Sequence, residues 1–149
     1  SSDKDELFGL VKWVKKTEQL GTQLSDIGIL VNTRASVDQV QDSLNASNID
    51  TVTLKPNRED DRSVPGVRIT TMHRAKGLEF FAVALPFLGK SKFPPSGVMN
   101  SAVDPADLQD ILNQHKSLLH VAATRAKKSL YVSWSGIPSV LIKDYALNT

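Results

Sequence analysis

Residues 67–85 read VRITTMHRAKGLEFFAVAL, and this stretch sets a polar motif between two segments that are typical of strands. The first segment, residues 67–70, leads directly toward His73. The second segment, Phe80–Leu85, is wholly apolar and is followed by Pro86. The stretch therefore predicts two strands joined by a compact segment that can carry chemistry.

The residues upstream of this stretch alternate between helix and strand patterns. A lead-in helix is predicted within residues 1–25, because apolar side chains recur there at the spacing of one helix face: Leu7, Leu10, Val11 and Val14. Ile27–Val31 is a continuous apolar run, which is typical of a strand buried on both faces of a parallel sheet. A second helix is predicted from Val37, Val40 and Leu44. Residues 51–54 then predict a short strand, and residues 55–66 a polar loop.

The residues downstream continue the alternation. Residues 89–103 contain two prolines and two glycines and predict a surface loop. The Asp104-Pro105 pair predicts a helix start, because Asp caps free amide groups and Pro suits the first helical position. That helix is expected to reach Arg125, residues 130–134 alternate as a strand does, and residues 137–149 predict a peripheral tail.

Strands that alternate with helices predict a mostly parallel sheet, because right-handed crossovers return each helix to a face of the sheet. We therefore expect an α/β fold with helices on both faces, in a single domain over residues 1–149. Ligands of such sheets bind beyond the carboxyl ends of the strands.

The composition limits the classes of function. A chain of 149 residues with 40% hydrophobic and 23% charged residues suits one globular domain. The absence of cysteine excludes disulfides and thiolate metal sites, and we predict no metal site in this chain. The net charge of +2 neither requires nor excludes a nucleic-acid partner. No apolar run approaches the roughly 18 residues that cross a bilayer, so we expect no membrane partner and a cytoplasmic location.

A second distinctive segment, residues 123–128, reads ATRAKK at the end of the predicted helix. Taken alone, Arg125 has two interpretations. It can be a surface cation that the helix dipole favours at a C-terminus. It can instead be a guanidinium that binds phosphate and stabilises the charge developing in phosphoryl transfer. The segment by itself favours the first interpretation.

The order and separation of the two segments favour the second interpretation. A strand, a turn and a strand would explain each polar residue of the first segment singly, but not their occurrence together: Thr71, His73, Lys76, Gly77 and Glu79. Residues 71–80, TMHRAKGLEF, and residues 121–127, VAATRAK, resemble motifs V and VI of superfamily 1 helicases of the UvrD/Rep/PcrA type. Residues 27–44 resemble motif IV of the same family.

This resemblance implies the RecA-like C-terminal motor domain of an ATP-dependent DNA helicase. Arg125 would be the arginine finger, which reaches the γ-phosphate of ATP across an interdomain cleft. Glu79 would bond the ribose of the nucleotide. Lys76 would lie on the nucleotide side, and Gly77 would let the backbone approach the nucleotide.

The resemblance also implies a site for single-stranded DNA, in which Thr71 and His73 would hold phosphate or sugar. The chain departs from the family in motif IV, where Asn32 stands in the place of the usual arginine. Arg34 follows two residues later and is the substitute that the resemblance offers for the second phosphate contact in the nucleotide site.

No G-x-x-x-x-G-K-[ST] phosphate loop occurs in the sequence. We therefore expect ATP and Mg²⁺ to bind between this chain and the N-terminal RecA-like motor domain of the same parent protein, and this chain alone to be inactive. Two other classes stay open. One is a helicase-like module that binds nucleic acid or acts as a scaffold without catalysis. The other is an unrelated dinucleotide oxidoreductase, which needs glycines that do not follow Ile27–Val31.

Overall fold

The computed structural model describes residues 2–55 and 58–142, and within them five strands form one sheet in the order β2-β3-β1-β4-β5. The strands are β1 (Ile27–Val31), β2 (Thr51–Thr53), β3 (Val67–Thr71), β4 (Phe80–Leu85) and β5 (Ala126–Val132). The helices are α1 (Asp3–Gln19), α2 (Arg34–Ala46), α3 (Ser96–Asn100) and α4 (Pro105–Ala123). The predicted α/β fold is confirmed, and each strand pair of this sheet is parallel.

β1 is the central strand, and each of its residues is buried. It pairs with β3 on one side, where Val31 lies opposite Thr71. On the other side it pairs with β4, where Ile27 lies opposite Ala82. A strand that is flanked on both sides and covered on both faces needs an uninterrupted apolar sequence, which is the pattern that predicted it.

Helices cover both faces of the sheet, as the alternation predicted. One face carries α1 and α2, whose core side chains pack with those of the sheet: Leu10, Val14, Val40, Leu44, Ile29 and Ile69. The opposite face carries α4 and a second core cluster, which includes Leu30, Val83, Leu85, Phe93, Leu119 and Ala122. The predicted cap of α4 is confirmed, because the Oδ1 atom of Asp104 accepts a 2.7 Å hydrogen bond from the amide of Asp107.

The lead-in helix α1 is tied to the sheet by a buried carboxylate. Glu6 accepts hydrogen bonds from the amide of Phe87 at 2.9 Å, the hydroxyl of Ser133 at 2.6 Å and the hydroxyl of Ser135 at 3.0 Å. Phe87 has a φ of +64°, a left-handed conformation that is costly for a residue with a side chain. Because Glu6 satisfies polar groups just after β4 and β5, α1 is an integral part of the fold.

Two predicted boundaries are wrong. The segment 89–103, expected to be a surface loop, contains α3. Its residue Phe93 is fully buried and anchors the segment in the core. The last strand, expected at 130–134, is β5 and begins at Ala126. β5 is an edge strand with exposed Lys127 and Lys128, so its first half carries no apolar alternation to reveal it.

The tail predicted from residue 137 is not peripheral in its described part. Ser139 and Leu141 are both buried. The hydroxyl of Ser139 donates a hydrogen bond to the carbonyl oxygen of Phe93, and Leu141 joins the core cluster beneath α4. Residues 143–149 of the predicted tail lie outside the described residues.

A glycine in the central strand makes room for an aromatic ring. A Cβ atom at Gly28 would lie 2.6 Å from the Cδ2 atom of Phe80, which is closer than two non-bonded carbon atoms approach. We predict that Gly28→Ala lowers the free energy of unfolding by about 1–3 kcal/mol, because the ring or the strand must shift. Urea denaturation of the two proteins measures this loss.

Gly97→Ala is the matched control for this prediction. Gly97 lies in α3, and a Cβ atom added there would meet no other atom within 4 Å, so the change should leave stability equal or slightly higher. Equal urea midpoints for Gly28→Ala and the unchanged protein would contradict the prediction.

Candidate functional site

The segment that follows β3 passes over the central strand β1 before β4 begins. β3 and β4 lie on opposite sides of β1 and run parallel to it. Thr71 lies opposite Val31, at the carboxyl end of β1, whereas Ala82 lies opposite Ile27 at its amino end. Residues 72–79 therefore join two edges of the sheet. We call them the carboxyl edge, where β1 and β3 end, and the amino edge, where β4 and β5 begin.

The crossing segment is held down on the face that α4 covers. Met72 begins a single turn of 3₁₀ helix, and both Met72 and Ala75 are buried in the core cluster with α4. Gly77 has a φ of +85°, a conformation that favours glycine, and it turns the chain toward β4. Lys76 and Gly77 are exposed on this turn, and no atom lies within 4 Å of a Cβ position at Gly77. The backbone there is open to a ligand.

Arg125 lies at the amino edge, between the end of α4 and the start of β5. Its Nε atom donates to the carbonyl oxygen of Val121 at 3.1 Å, and its Nη1 atom donates to that of Leu78 at 3.4 Å. The amide of Phe80 donates to the carbonyl oxygen of Arg125 at 2.9 Å. The two sequence motifs are therefore in direct contact, and the half-buried guanidinium lies beside the residues that precede β4.

Glu79 also lies at the amino edge, with its carboxylate in solvent. The side chain is 64% exposed, and its Oε2 atom lies 3.6 Å from the Nζ atom of Lys127, which is also exposed. An ion pair between two exposed side chains contributes little free energy, so neither group is committed to the other. The carboxylate is thus available to a ligand at the same edge as Arg125.

Thr71 and His73 lie at the carboxyl edge, where Thr71 is half-buried and His73 is exposed. Arg34 opens α2 just after the end of β1 and is exposed at this same edge. The carboxyl edge lies about 16 Å from the amino edge, which is the length of β1 at roughly 3.3 Å per residue. The structure therefore groups Arg34 with Thr71 and His73, and it does not bring Arg34 together with Arg125.

A charged network that the sequence did not reveal lies beneath residues 58–66 of the polar loop. Arg68 is an interior residue of β3 and its side chain is 0% exposed. Its Nε atom lies 3.1 Å from the Oδ1 atom of Asp60, a carboxylate that is only 8% exposed. The remaining nitrogens donate at 2.6–2.7 Å to the carbonyl oxygens of Asp61, Val64 and Gly66. The loop is therefore fastened to the sheet by a buried arginine.

The same carboxylate holds a second arginine. The Nε atom of Arg62 donates to the Oδ2 atom of Asp60 at 2.6 Å. The Nη2 atom of Arg62 donates to the carbonyl oxygen of Glu79 at 2.8 Å, and the guanidinium lies 4.5 Å from the ring centroid of Phe80. A signal for this network was present in the sequence, because a charged residue at a buried strand position requires a partner. The carboxylate of nearby Asp60 supplies it.

Among the described residues, Asp61 and Tyr131 have shifted pKa values. Hydrogen bonds from the hydroxyl and the amide of Ser63 lower the pKa of Asp61 below its usual value. Asp61 therefore favours the folded state above the pKa of its unfolded form, and this contribution is lost as the pH falls. Burial, with a smaller effect of Glu6, raises the pKa of Tyr131, which stacks on Trp13 with ring centroids 5.3 Å apart.

Among residues 2–55 and 58–142, no group of three or more His, Asp or Glu side chains is placed to hold a metal ion. The helices of this described part are all too short or too polar to cross a membrane.

The buried network yields a stability prediction. Asp60→Ala should lower the free energy of unfolding by about 3–5 kcal/mol, because it leaves the charge of Arg68 buried without its carboxylate. Asp61→Ala is the control, since the Asp61 side chain is exposed and its carbonyl oxygen still accepts from Arg68. Thermal or urea unfolding measures both. A loss for Asp60→Ala no larger than that for Asp61→Ala would show that the network does not stabilise the fold.

Comparison with known proteins gives the family context of this geometry. The family model of the UvrD-like helicase C-terminal domain matches residues 51–136. The chain is 28% identical over 120 residues to DNA helicase II of Rickettsia typhi, an alignment that covers 80% of this chain and 17% of that protein. It is 34% identical over 99 residues to the ATP-dependent DNA helicase PcrA of Leuconostoc citreum, covering 66% and 12%. The chain thus spans under a fifth of the length of these relatives.

Solved structures share the fold. The C-terminal domain of a possible DNA helicase from Lactobacillus plantarum matches with a TM-score of 0.66 and 19% identity, over 92% of this chain and 71% of that one. The Hef helicase domain of Pyrococcus furiosus matches with a TM-score of 0.53 and 12% identity, over 97% and 27%. At these identities the matches show the fold, which is the RecA-like α/β fold expected from the sequence.

Proposed function

Because this chain belongs to the UvrD-like helicase C-terminal domain family, we propose that it forms the second motor half of an ATP-dependent DNA helicase or translocase. One observation carries the proposal. Residues 71–80 place one set of polar groups at the carboxyl edge and another at the amino edge, with the chain between them packed against the sheet. The protein can therefore hold two ligands at opposite edges of one rigid body.

The nucleotide binds at the amino edge in this proposal. Arg125 is the arginine finger, and its guanidinium stabilises the negative charge that develops on the γ-phosphate during transfer. Glu79 accepts hydrogen bonds from the ribose hydroxyls, which its exposure and its weak pairing with Lys127 allow. Lys76 and Gly77 face the nucleotide from the exposed turn before β4. The sequence contains no phosphate loop, so an N-terminal motor domain supplies the triphosphate cradle and Mg²⁺.

Single-stranded DNA binds at the carboxyl edge in this proposal. The hydroxyl of Thr71 and the imidazole of His73 contact its phosphate or sugar. Arg34 shares this edge, so we assign it to a DNA phosphate rather than to the γ-phosphate of ATP. A guanidinium binds a DNA phosphate and a nucleotide phosphate through the same paired donors. The assignment of Arg34 to DNA therefore follows from its position alone.

In this proposal the crossing segment couples nucleotide binding at the amino edge to DNA binding at the carboxyl edge. Met72 and Ala75 are buried under α4, and Arg125 and Arg62 hold the carbonyl oxygens of Leu78 and Glu79, so both ends of the segment are fastened to the sheet. Closure of the cleft on ATP would then move the carboxyl edge, and the DNA that it holds, together with Arg125.

A non-catalytic module is the second candidate function. It is favoured by Asn32, which stands where the family has an arginine, and by the position of Arg34 away from the amino edge. Such a module would keep the DNA site and lose turnover of ATP. The Arg125 variant below separates the two candidates.

We predict that Arg125→Ala, in the protein that joins this domain to its phosphate-loop domain, lowers kcat for DNA-stimulated ATP hydrolysis by roughly 10³-fold or more. The loss falls on kcat because the finger acts on charge that exists only in the transition state. Steady-state ATPase assays measure it, with the exposed Arg58→Ala as control. Normal turnover in Arg125→Ala would contradict the arginine-finger role, and this chain by itself should hydrolyse no ATP.

We further predict that His73→Ala weakens binding of single-stranded DNA by roughly 5-fold, the equivalent of about one hydrogen bond. Fluorescence anisotropy with a labelled oligonucleotide at one fixed salt concentration measures the change. His120→Ala is the matched control, because His120 lies in the last turn of α4 and so near the amino edge. Equal losses for the two histidines would argue against a DNA site at the carboxyl edge.

A further inference from the structure

Arg62 uses its guanidinium to hold other parts of the chain in place. The Nε atom bonds Asp60, the Nη1 atom donates to the carbonyl oxygen of Ser25 at 3.3 Å, and the Nη2 atom donates to that of Glu79 at 2.8 Å. The carboxylate of Asp26 lies 3.6 Å from the Nη1 atom. The guanidinium thus joins three separate segments of the chain, which is what a residue that positions the backbone must do.

Arg62 is itself held from behind by a buried anchor. Asp60 bridges Arg62 and Arg68, and Arg68 is fully buried in β3 with three carbonyl acceptors of its own. The face of Arg62 lies on the ring of Phe80, which in turn rests over Gly28 of the central strand. A guanidinium fixed by ion pairs, hydrogen bonds and an aromatic ring has little freedom to move.

Two arginines hold the backbone at the start of β4. Arg125 donates to the carbonyl oxygen of Leu78 and accepts from the amide of Phe80, while Arg62 donates to the carbonyl oxygen of Glu79. The carbonyl groups of adjacent peptide units are therefore fixed by different parts of the chain. Because the backbone at Glu79 is fixed, the direction in which its Cα–Cβ bond leaves the amino edge is fixed as well.

We propose that Arg62 is a positioning residue of the nucleotide site, which orients Glu79 by fixing its backbone. The inference rests on the proposed contact between Glu79 and the ribose. It also gives the loop 58–66 a role, since this loop carries Asp60 and Arg62 from the sheet face to the amino edge.

The test is the ATP dependence of DNA-stimulated hydrolysis in the protein that joins this domain to its phosphate-loop domain. Arg62→Ala should raise the KM for ATP roughly 10-fold and leave kcat within about twofold, because a ribose contact binds the ground state and the transition state alike. Arg58→Ala is the control, since Arg58 is an exposed arginine of the same loop, and it should leave both constants unchanged.

Arg62→Lys distinguishes positioning from charge. Lysine keeps the positive charge but lacks the planar fork that reaches Asp60 and the Glu79 carbonyl at once. The KM should therefore stay raised in Arg62→Lys, and this variant also replaces Arg62→Ala if the latter does not fold in thermal unfolding. A KM that returns to the unchanged value in Arg62→Lys would overturn the positioning role.

Glu79→Ala separates this inference from the proposed function. If Glu79→Ala raises the KM for ATP and folded Arg62→Ala does not, the positioning role is wrong and the ribose contact stands. If Glu79→Ala leaves the KM unchanged, the ribose contact is wrong and the role of Arg62 falls with it. A raised KM in both variants, with no further increase in the double variant, supports the inference.

Discussion

The arrangement of this domain depends on one crossing of the chain. Residues 72–79 leave the carboxyl end of β3 and enter the amino end of β4, on the other side of β1. The distance along β1 is about 16 Å, and a chain of this length spans at most roughly 26 Å when extended. There is no room for a crossover helix, so the segment lies flat on the sheet with Met72 and Ala75 buried. Its polar residues are thereby divided between two edges of the sheet.

A second feature of the fold is the loop before β3, which covers the part of the sheet where Arg68 lies. β2 and β3 are joined by a polar segment, and the side chain beneath it is Arg68. A buried guanidinium is costly unless it is paired and hydrogen-bonded throughout. Asp60 and three carbonyl oxygens meet that need. The buried charge of Arg68 therefore anchors the loop. Arg62 of the same loop contacts Glu79 at the amino edge.

The sequence predicted those elements whose pattern is set by burial. Ile27–Val31 is apolar because it is covered on both faces, and Asp104 is recognisable because capping is a local interaction. β5 began earlier than predicted, since an edge strand tolerates exposed lysines. The separation of Arg34 from Arg125 follows once all strands are parallel, because Arg34 comes after β1 whereas Arg125 comes before β5. The contact of Arg62 with Glu79 joins the loop before β3 to the start of β4. That side-chain contact is a tertiary property, so no local pattern could reveal that Arg62 reaches Glu79.

The amino edge is an unusual place for an anion in a parallel sheet, whose ligands ordinarily lie beyond the carboxyl ends of the strands. It presents the C-terminus of α4, where the helix dipole is negative and repels phosphate. Arg125 and Thr124 satisfy the carbonyl oxygen of Val121 in that last turn, which offsets part of this field. Part of the charge of Arg125 is therefore directed at its own helix. Under the proposed function, a triphosphate gains little from this edge until a second domain cradles it, which makes the finger sensitive to closure of the cleft.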